Sequence, residues 1–289
     1  MKSRFNDFLD LTKPRITVFI LMSMAIGFLC GMHLNPGWHW GALINAIIGT
    51  GLLASGTAAL NQWYESDGDG KMARTKRRPI PSGRVTAKQA LWFGVTLSII
   101  GFAELWIGVN LLAALLGLFT LASYLFVYTP LKRVSPECTT IGAIPGAMPP
   151  LIGYAAACGH LNLEAGILYA ILFLWQFPHF YAIAWMYRDD YARAGIRMLP
   201  VVEPDGDSTG RRIVLFSLAL VPISLAPSFF SMAGNWYLYG ALVLGVYICW
   251  TGFRVASDCS LVRARQVLLA SVVYLPLLYG LLLLDNARF

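Results

Sequence analysis

Asn61, Glu65 and Asp69 stand four residues apart at the end of an apolar run, within LNQWYESDGDGKMARTKRRPIPSGRV at residues 60–85. On a helix that spacing holds three side chains on one face, drifting by about 40° per step. One amide and two carboxylates there form a set of hard oxygen ligands. Mg²⁺ takes such ligands while keeping waters and bridging to substrate phosphates. Lys71, Arg74, Lys76, Arg77 and Arg78 follow directly. Guanidinium and ammonium groups suit a polyphosphate whose charge a metal has partly neutralised. The segment reads as a diphosphate site at the mouth of a membrane bundle, with Asn61, Glu65 and Asp69 as metal ligands.

A second stretch, YRDDYARAGIRMLPVVEPDGDSTGRR at 187–212, again mixes acids (Asp189, Asp190) with bases (Arg188, Arg193, Arg197) just beyond an apolar run. Two such clusters on one face of a bundle are the arrangement expected for gripping one metal–diphosphate from two sides. The diphosphate contacts expected from the two clusters and the VYTPLKR segment are Arg74, Lys76, Arg78, Lys132, Arg133 and Arg188. Asp190 is the expected metal ligand of the second cluster, with the choice between it and Asp189 open.

The elements that must carry these groups are membrane helices. Of 289 residues, 57% are apolar and 13% charged, and the mean hydropathy is +0.61. Soluble domains carry about twice that charge density. Apolar runs of about 20 residues span a bilayer as helices. Nine such runs occur, at about 16–34, 41–61, 88–109, 111–129, 138–158, 165–186, 212–232, 235–253 and 266–284. The expected fold is therefore all-α, a polytopic bundle of nine transmembrane helices. Pro145, Pro149 and Pro150 predict a broken fifth span. With a cytoplasmic N-terminus, every one of the 22 lysines and arginines except Arg288 falls on the cytoplasmic side. The positive-inside rule thus predicts N-in, C-out, with the charged site open to the cytoplasm. The net charge of +7 is a topology signal, and no soluble basic domain exists to bind nucleic acid.

The tail MKSRFNDFLDLTKPR contains acids, unlike a transit peptide, and shows no small-residue cleavage site. A bacterial plasma (inner) membrane is the expected location. Five cysteines form no metal-binding spacing; Cys30 and Cys158 both fall near the outer face, and free thiols are the preferred reading. The long loops, 62–87 and 187–211, follow spans two and six. That offset of four helices fits two four-helix halves plus a ninth helix, forming one integral-membrane domain over 1–289.

Blander readings weigh against some of these residues. ESDGDGK could open a Ca²⁺ loop, but its twelfth position is Lys76 where a bidentate Glu is needed. A basic run can bind anionic lipid, which accounts for Arg77 and Arg78 but not for three polar groups in helical register. His179, within the sixth apolar run beside Pro178, is an intramembrane ionisable residue and so a functional candidate, against a plain helix–helix hydrogen bond. His33, His39, His160 and Glu104 read as interfacial.

NQWYESDGDGKMARTKRRP at 61–79 resembles the first acidic motif of the UbiA superfamily of intramembrane prenyltransferases. LTKPRITVF at 11–19, VYTPLKR at 127–133, IGAIPGAMPPLIGYAA at 141–156 and WQFPHFYAIAWMYRDDYARAGIRMLPV at 175–201 are similar to its heme O synthase branch, and ARQVLLASVVYLPLLYGLLLLD at 264–285 matches in character. The resemblance covers nearly the whole chain. Glu65 replaces the Asp of most members, and YRDDY replaces a DxxxD pair. The resemblance implies farnesyl diphosphate and heme B as substrates, with Mg²⁺ as the metal and heme not a prosthetic group. It implies Asn61, Glu65, Asp69, Arg74, Arg78, Asp189 and Asp190 as the catalytic set. Heme contacts fall on His179, Trp175, Lys13 and Arg15; Lys132 and Arg133 are further candidates for the propionates. Trp63, Tyr64, Trp175 and Tyr187 are candidate aromatic faces for an allylic cation. Besides the bilayer, the implied partners are heme A synthase or terminal-oxidase assembly proteins. The competing readings are prenylation of an aromatic acid in quinone synthesis and, in another class, transport of an anionic solute, whose site would lie at the membrane midplane.

Overall fold

The computed structural model describes residues 4–286, so Lys2 and Arg288 lie outside the described residues. Nine helices among these are long and apolar enough to cross a membrane: Pro14–Leu34, Trp40–Tyr64, Ala87–Gly108, Leu111–Leu131, Cys138–Cys158, Leu163–Met186, Asp207–Phe229, Asn235–Ser257 and Leu261–Leu284. They match the nine apolar runs, and no strand occurs among the described residues. The seventh and ninth begin about a turn before their apolar runs, with charged first turns containing Arg211, Arg212, Arg263 and Arg265.

Side-chain caps mark several starts. Asn110 accepts from the Ala113 amide and Asn162 from the Ala165 amide, while Thr86 and Gln89 form a reciprocal capping box. Each cap satisfies an amide that the first helical turn leaves without a partner.

The chain forms two compact units. One holds spans one to four, the segment Met148–Leu161 and the short stretch Ala192–Ile196; the other holds Ser135–Ala147, Asn162–Tyr191 and the chain from Arg197 onward. The fifth span is therefore divided, its halves being the helices Cys138–Gly146 and Pro149–Cys158. The break falls where the prolines predict it, because Pro149 and Pro150 cannot donate to the preceding turn.

In the first unit the half Pro149–Cys158 packs on span one at backbone contact distance. A Cβ on Gly27 would overlap the Pro150 carbonyl, and one on Gly153 would overlap that of Met24. Small residues at such crossings let membrane helices gain dispersion contact without a hydrophobic driving force. Asn110 and Asn35 donate to the Ala155 and Ala157 carbonyls, at 2.8 and 2.9 Å. In the second unit the half Cys138–Gly146 lies against span six. Gln176 Nε2 donates to the Ala143 carbonyl at 3.1 Å, and Gly146 leaves the room for that amide. Broken helices persist at membrane depth only where other groups satisfy the backbone in this way. All five cysteines are free, as expected.

Candidate active site

Span two ends at Tyr64, and a short helix Ser66–Lys71 follows. Glu65 lies between them at φ −93°, ψ 7°, so the three polar groups do not sit on one continuous helix. Ser66, Asp67, Gly68 and Gly70 are poor helix formers, which accounts for the interruption. The four-residue register survives it, because the Glu65 amide donates to the Asn61 carbonyl and the Asp69 amide to the Glu65 carbonyl.

Asn61 and Asp69 are each only 1% exposed. Asn61 Nδ2 donates to Glu65 Oε2 at 2.9 Å, and its Oδ1 accepts from Lys13 Nζ at 3.1 Å. Glu65 Oε1 pairs with Lys132 Nζ at 2.9 Å, and Asp69 Oδ2 with Arg78 Nη1 at 2.6 Å. The Asn61 amide thus bridges the Lys13 ammonium to the Glu65–Lys132 ion pair, with the Asp69–Arg78 pair beside them. A small cleft, with a cavity volume of about 10 Å³, is lined by Glu65, Asp69, Lys132 and Arg133, and by Ala194 and Ile196 from the second charged loop.

The charges are tuned by this proximity. Burial pushes Lys13 down to about 7, aided by the Arg78 and Lys132 charges and opposed by Glu65 and Asp69. Burial would raise the Glu65 carboxyl, yet Lys132, Lys13 and the Asn61 amide bring it below the ordinary carboxylate range. Burial disfavours the Lys132 ammonium, but Tyr128, Glu65 and Tyr124 outweigh it and hold its pKa above the usual lysine value. In both of the last cases the surrounding charges and hydrogen bonds together outweigh desolvation.

Span four turns π-helical at Ser123–Tyr128 before Thr129–Leu131 resumes α geometry. Such bulges concentrate at functional sites, where they re-aim side chains. Thr129 Oγ1 donates back to the Tyr124 carbonyl at 2.8 Å, Asn61 Nδ2 lies 3.4 Å from the same hydroxyl, and the Lys132 ammonium sits 4.5 Å from the Tyr128 ring centroid. Of the aromatic faces expected from sequence, Trp63 instead packs against the buried cluster of Leu11, Ala59, Val85 and Ala90, and Tyr64 is 46% exposed. Tyr128 and its neighbour Tyr124, with centroids 5.1 Å apart, are the rings at the charged cluster. Two tyrosines four residues apart just before TPLKR were the signal for them.

The remaining expected residues divide by exposure. Arg74, Lys76, Arg77 and Arg133 are exposed and Arg78 is part-buried. Lys13 joins the first acidic motif, whereas Arg15 is exposed; a left-handed φ of 49° at Lys13 aims the chain there. In the second unit Asp189 is exposed and Asp190 buried, on the short helix Arg188–Arg193. Arg188 turns to Trp185, donating to its carbonyl at 3.1 Å and stacking 4.4 Å above its ring. His179 Nδ1 lies 2.9 Å from Ser271 Oγ, and its ring stacks on Trp175 at 4.8 Å.

Contacts that sequence reasoning missed hold the basic loop. Asp7, buried on the helix Arg4–Leu11, pairs with Arg84 Nε at 2.7 Å, and Arg84 Nη2 donates to the Arg77 carbonyl at 3.0 Å. Gln62, next to Asn61, donates to the Asp10 and Leu11 carbonyls and so caps the end of that helix.

The donor set suits a hard divalent ion. Asn61, Glu65 and Asp69 offer only oxygen ligands. No group of three His, Cys, Asp or Glu among the described residues forms a closed metal cage. An ion that keeps its waters and shares phosphate oxygens needs only one or two carboxylates.

The nine-helix architecture and the polar cluster define an intramembrane prenyltransferase. The chain belongs to the UbiA prenyltransferase family, whose pattern it matches over residues 14–283. It is 61% identical over 97% of its length to a protoheme IX farnesyltransferase of Solibacter usitatus, covering 99% of that protein. It is 47% identical over 98% of its length to another from Koribacter versatilis, of which it covers 94%. Its fold is similar to that of a digeranylgeranylglyceryl phosphate synthase, with a TM-score of 0.82 at 15% identity and 99% of both chains covered. It is also similar to a UbiA homologue from Archaeoglobus fulgidus bound to GPP and Mg²⁺, with a TM-score of 0.63 at 14% identity over 96% of this chain and 99% of that one.

Proposed function

We propose that this prenyltransferase moves the farnesyl group of farnesyl diphosphate onto a vinyl group of heme B, with addition of water, to give heme O. The observation that carries the diphosphate half is the pairing of Asn61, Glu65 and Asp69 with Lys13, Lys132 and Arg78. The heme half is supported by the full-length likeness to protoheme IX farnesyltransferases.

Asn61, Glu65 and Asp69 would hold Mg²⁺, which supplies charge neutralisation for the diphosphate when bound, and Asp190 is assigned to the second acidic motif. Lys132 and Arg78 donate to the leaving oxygens as the bond from the farnesyl C1 to oxygen breaks and the diphosphate takes the electron pair. Developing negative charge meets donors already in place, which is where electrostatic catalysis is largest. Tyr128 and Tyr124 present ring faces to the allylic cation. The terminal vinyl carbon of heme attacks the farnesyl C1. Water adds to the resulting cation beside the porphyrin and releases a proton, leaving a hydroxyethylfarnesyl side chain. We assign the protein to a bacterial plasma membrane with the N-terminus and the charged site cytoplasmic, a reading that rests on the distribution of Lys and Arg. Both compact units are read as one catalytic domain, in line with the family match. By resemblance the product would pass to heme A synthase or to terminal-oxidase assembly.

The test is turnover by purified protein in detergent with farnesyl diphosphate, heme B and Mg²⁺. Mass spectrometry should find heme gaining one farnesyl group and one hydroxyl. Prenylation of a hydroxylated aromatic acid with heme left unchanged would assign the enzyme to quinone synthesis instead.

A further inference from the structure

Ser271 lies in the ninth span and is fully buried. Its hydroxyl donates to the Leu268 carbonyl at 2.7 Å. A carbonyl oxygen carries no proton, so at that distance the single hydroxyl proton of Ser271 must lie on this bond. Toward its other neighbour, His179 Nδ1 at 2.9 Å, Ser271 Oγ can then only accept. Nδ1 must carry the hydrogen, and in the neutral ring the lone pair is left on Nε2.

Two further contacts fix the orientation of the ring. The Trp175 indole stacks on it with centroids 4.8 Å apart and planes 23° apart. Trp175 Nε1 donates to the Ser271 backbone carbonyl at 2.7 Å, so the stacking partner is tied to the same residue. The other ring contact is Phe180, edge-on at 5.4 Å. No protein group among the described residues hydrogen-bonds Nε2, although the imidazole is only part-buried. An oriented imidazole with a bonded Nδ1–H and a free Nε2 is the form in which histidine binds iron, and the partner on the far nitrogen sets tautomer, orientation and ligand strength.

We infer that Ser271 is a positioning residue that holds His179 as the Nδ1–H tautomer, so that Nε2 ligates the iron of the incoming heme and orients the macrocycle for transfer. This rests on the reading of heme as the acceptor. Ser271 itself touches no reacting atom.

The experiment titrates heme B into the purified full-length protein and its variants, with resonance Raman of the ferrous complex and farnesyl diphosphate binding measured in parallel. The native protein should show an iron–imidazole stretch that His179→Ala lacks. Ser271→Ala removes the acceptor together with the hydroxyl's own bond to the Leu268 carbonyl; it should shift that stretch to lower frequency and weaken heme binding by about 10–100-fold, the usual size of such outer-shell effects. Ser271→Thr, which keeps the hydroxyl, should restore the frequency, and farnesyl diphosphate affinity should be unchanged throughout. A native stretch and affinity in Ser271→Ala, or a stretch that survives His179→Ala, overturns the assignment. A native protein that takes up no heme overturns both this inference and the acceptor on which it rests. Heme that shows the expected variant pattern yet is never farnesylated supports the tautomer and removes the reaction.

Discussion

Lys132 Nζ stands 2.9 Å from Glu65 Oε1 and 4.5 Å from the centre of the Tyr128 ring. One ammonium thus joins the first acidic motif to the π-helical end of span four. The pair is largely shielded, with side-chain exposures of 12% and 17%, so removing one partner leaves the other desolvated and uncompensated. Lys132→Met should lower kcat/KM for farnesyl diphosphate by about 100-fold or more, the usual loss for one donor to a developing anion. Lys132→Arg should recover part of it. Steady-state kinetics with labelled farnesyl diphosphate measure both, and a Lys132→Met enzyme within tenfold of native would remove this cation from the leaving-group role.

Arg78 and Arg77 are adjacent but differently placed. Arg78 pairs with buried Asp69 at 2.6 Å, whereas Arg77 is exposed and its backbone carbonyl accepts from Arg84. Arg78→Lys replaces a planar fork with a point charge and should cut activity at least tenfold. Arg77→Lys should be nearly silent. Equal losses at the two positions would mean that the basic run acts only through its summed field.

Much of this was legible before any coordinates. The nine spans follow from apolar length, the broken fifth span from Pro149 and Pro150, and the candidate site from oxygen ligands in register beside cations. What stayed hidden depends on long-range contact. Nothing local in LTKPR separates Lys13, which reaches Asn61, from Arg15, which is exposed; the left-handed backbone at Lys13 decides it. The rings beside the charged cluster were hidden for a related reason. Trp63 and Tyr64 are nearest in sequence to the acids, but helix geometry turns Trp63 onto the N-terminal helix, while a π-helical stretch places Tyr128 beside Lys132. Nor does the division of the fifth span between two compact units follow from the offset of the two loops; it reflects how closely Gly27 and Gly153 let span one approach Pro149–Cys158.

The Asp7–Arg84 bridge predicts that the N-terminal helix supports catalysis without touching substrate. Asp7 is 4% exposed, so Arg84→Ala strands a buried carboxylate and frees the loop that carries Arg77 and Arg78. A lost charged partner of this kind costs about 1–3 kcal/mol. The variant should melt at lower temperature in detergent and show a raised KM for farnesyl diphosphate. Asp7→Asn combined with Arg84→Ala should recover stability but not KM, because the loop remains untethered. Thermal melts and initial rates on the same preparations separate the two effects.

Glu137, ahead of the broken span, gives a pH signature in the second unit. Its Oε1 meets Arg212 Nη2 at 2.5 Å and its Oε2 accepts from Thr140 at 2.9 Å. The Arg212 hydrogen bond holds the carboxyl below its ordinary value of 4.5, against a smaller upward push from burial. A depressed folded-state pKa contributes stability that is fully present above the unfolded value and disappears as pH falls through the folded one. The gain from this pair should therefore be constant near neutrality and fade only below about pH 4.5. Glu137 is half exposed, so solvent screening keeps the effect small. Glu137→Gln should melt slightly below the native protein at pH 7, and the two curves should converge as pH falls toward 3. Parallel melts across that range decide the matter: a gap that is unchanged at pH 3 would mean that the carboxylate charge is not what links Glu137 to Arg212.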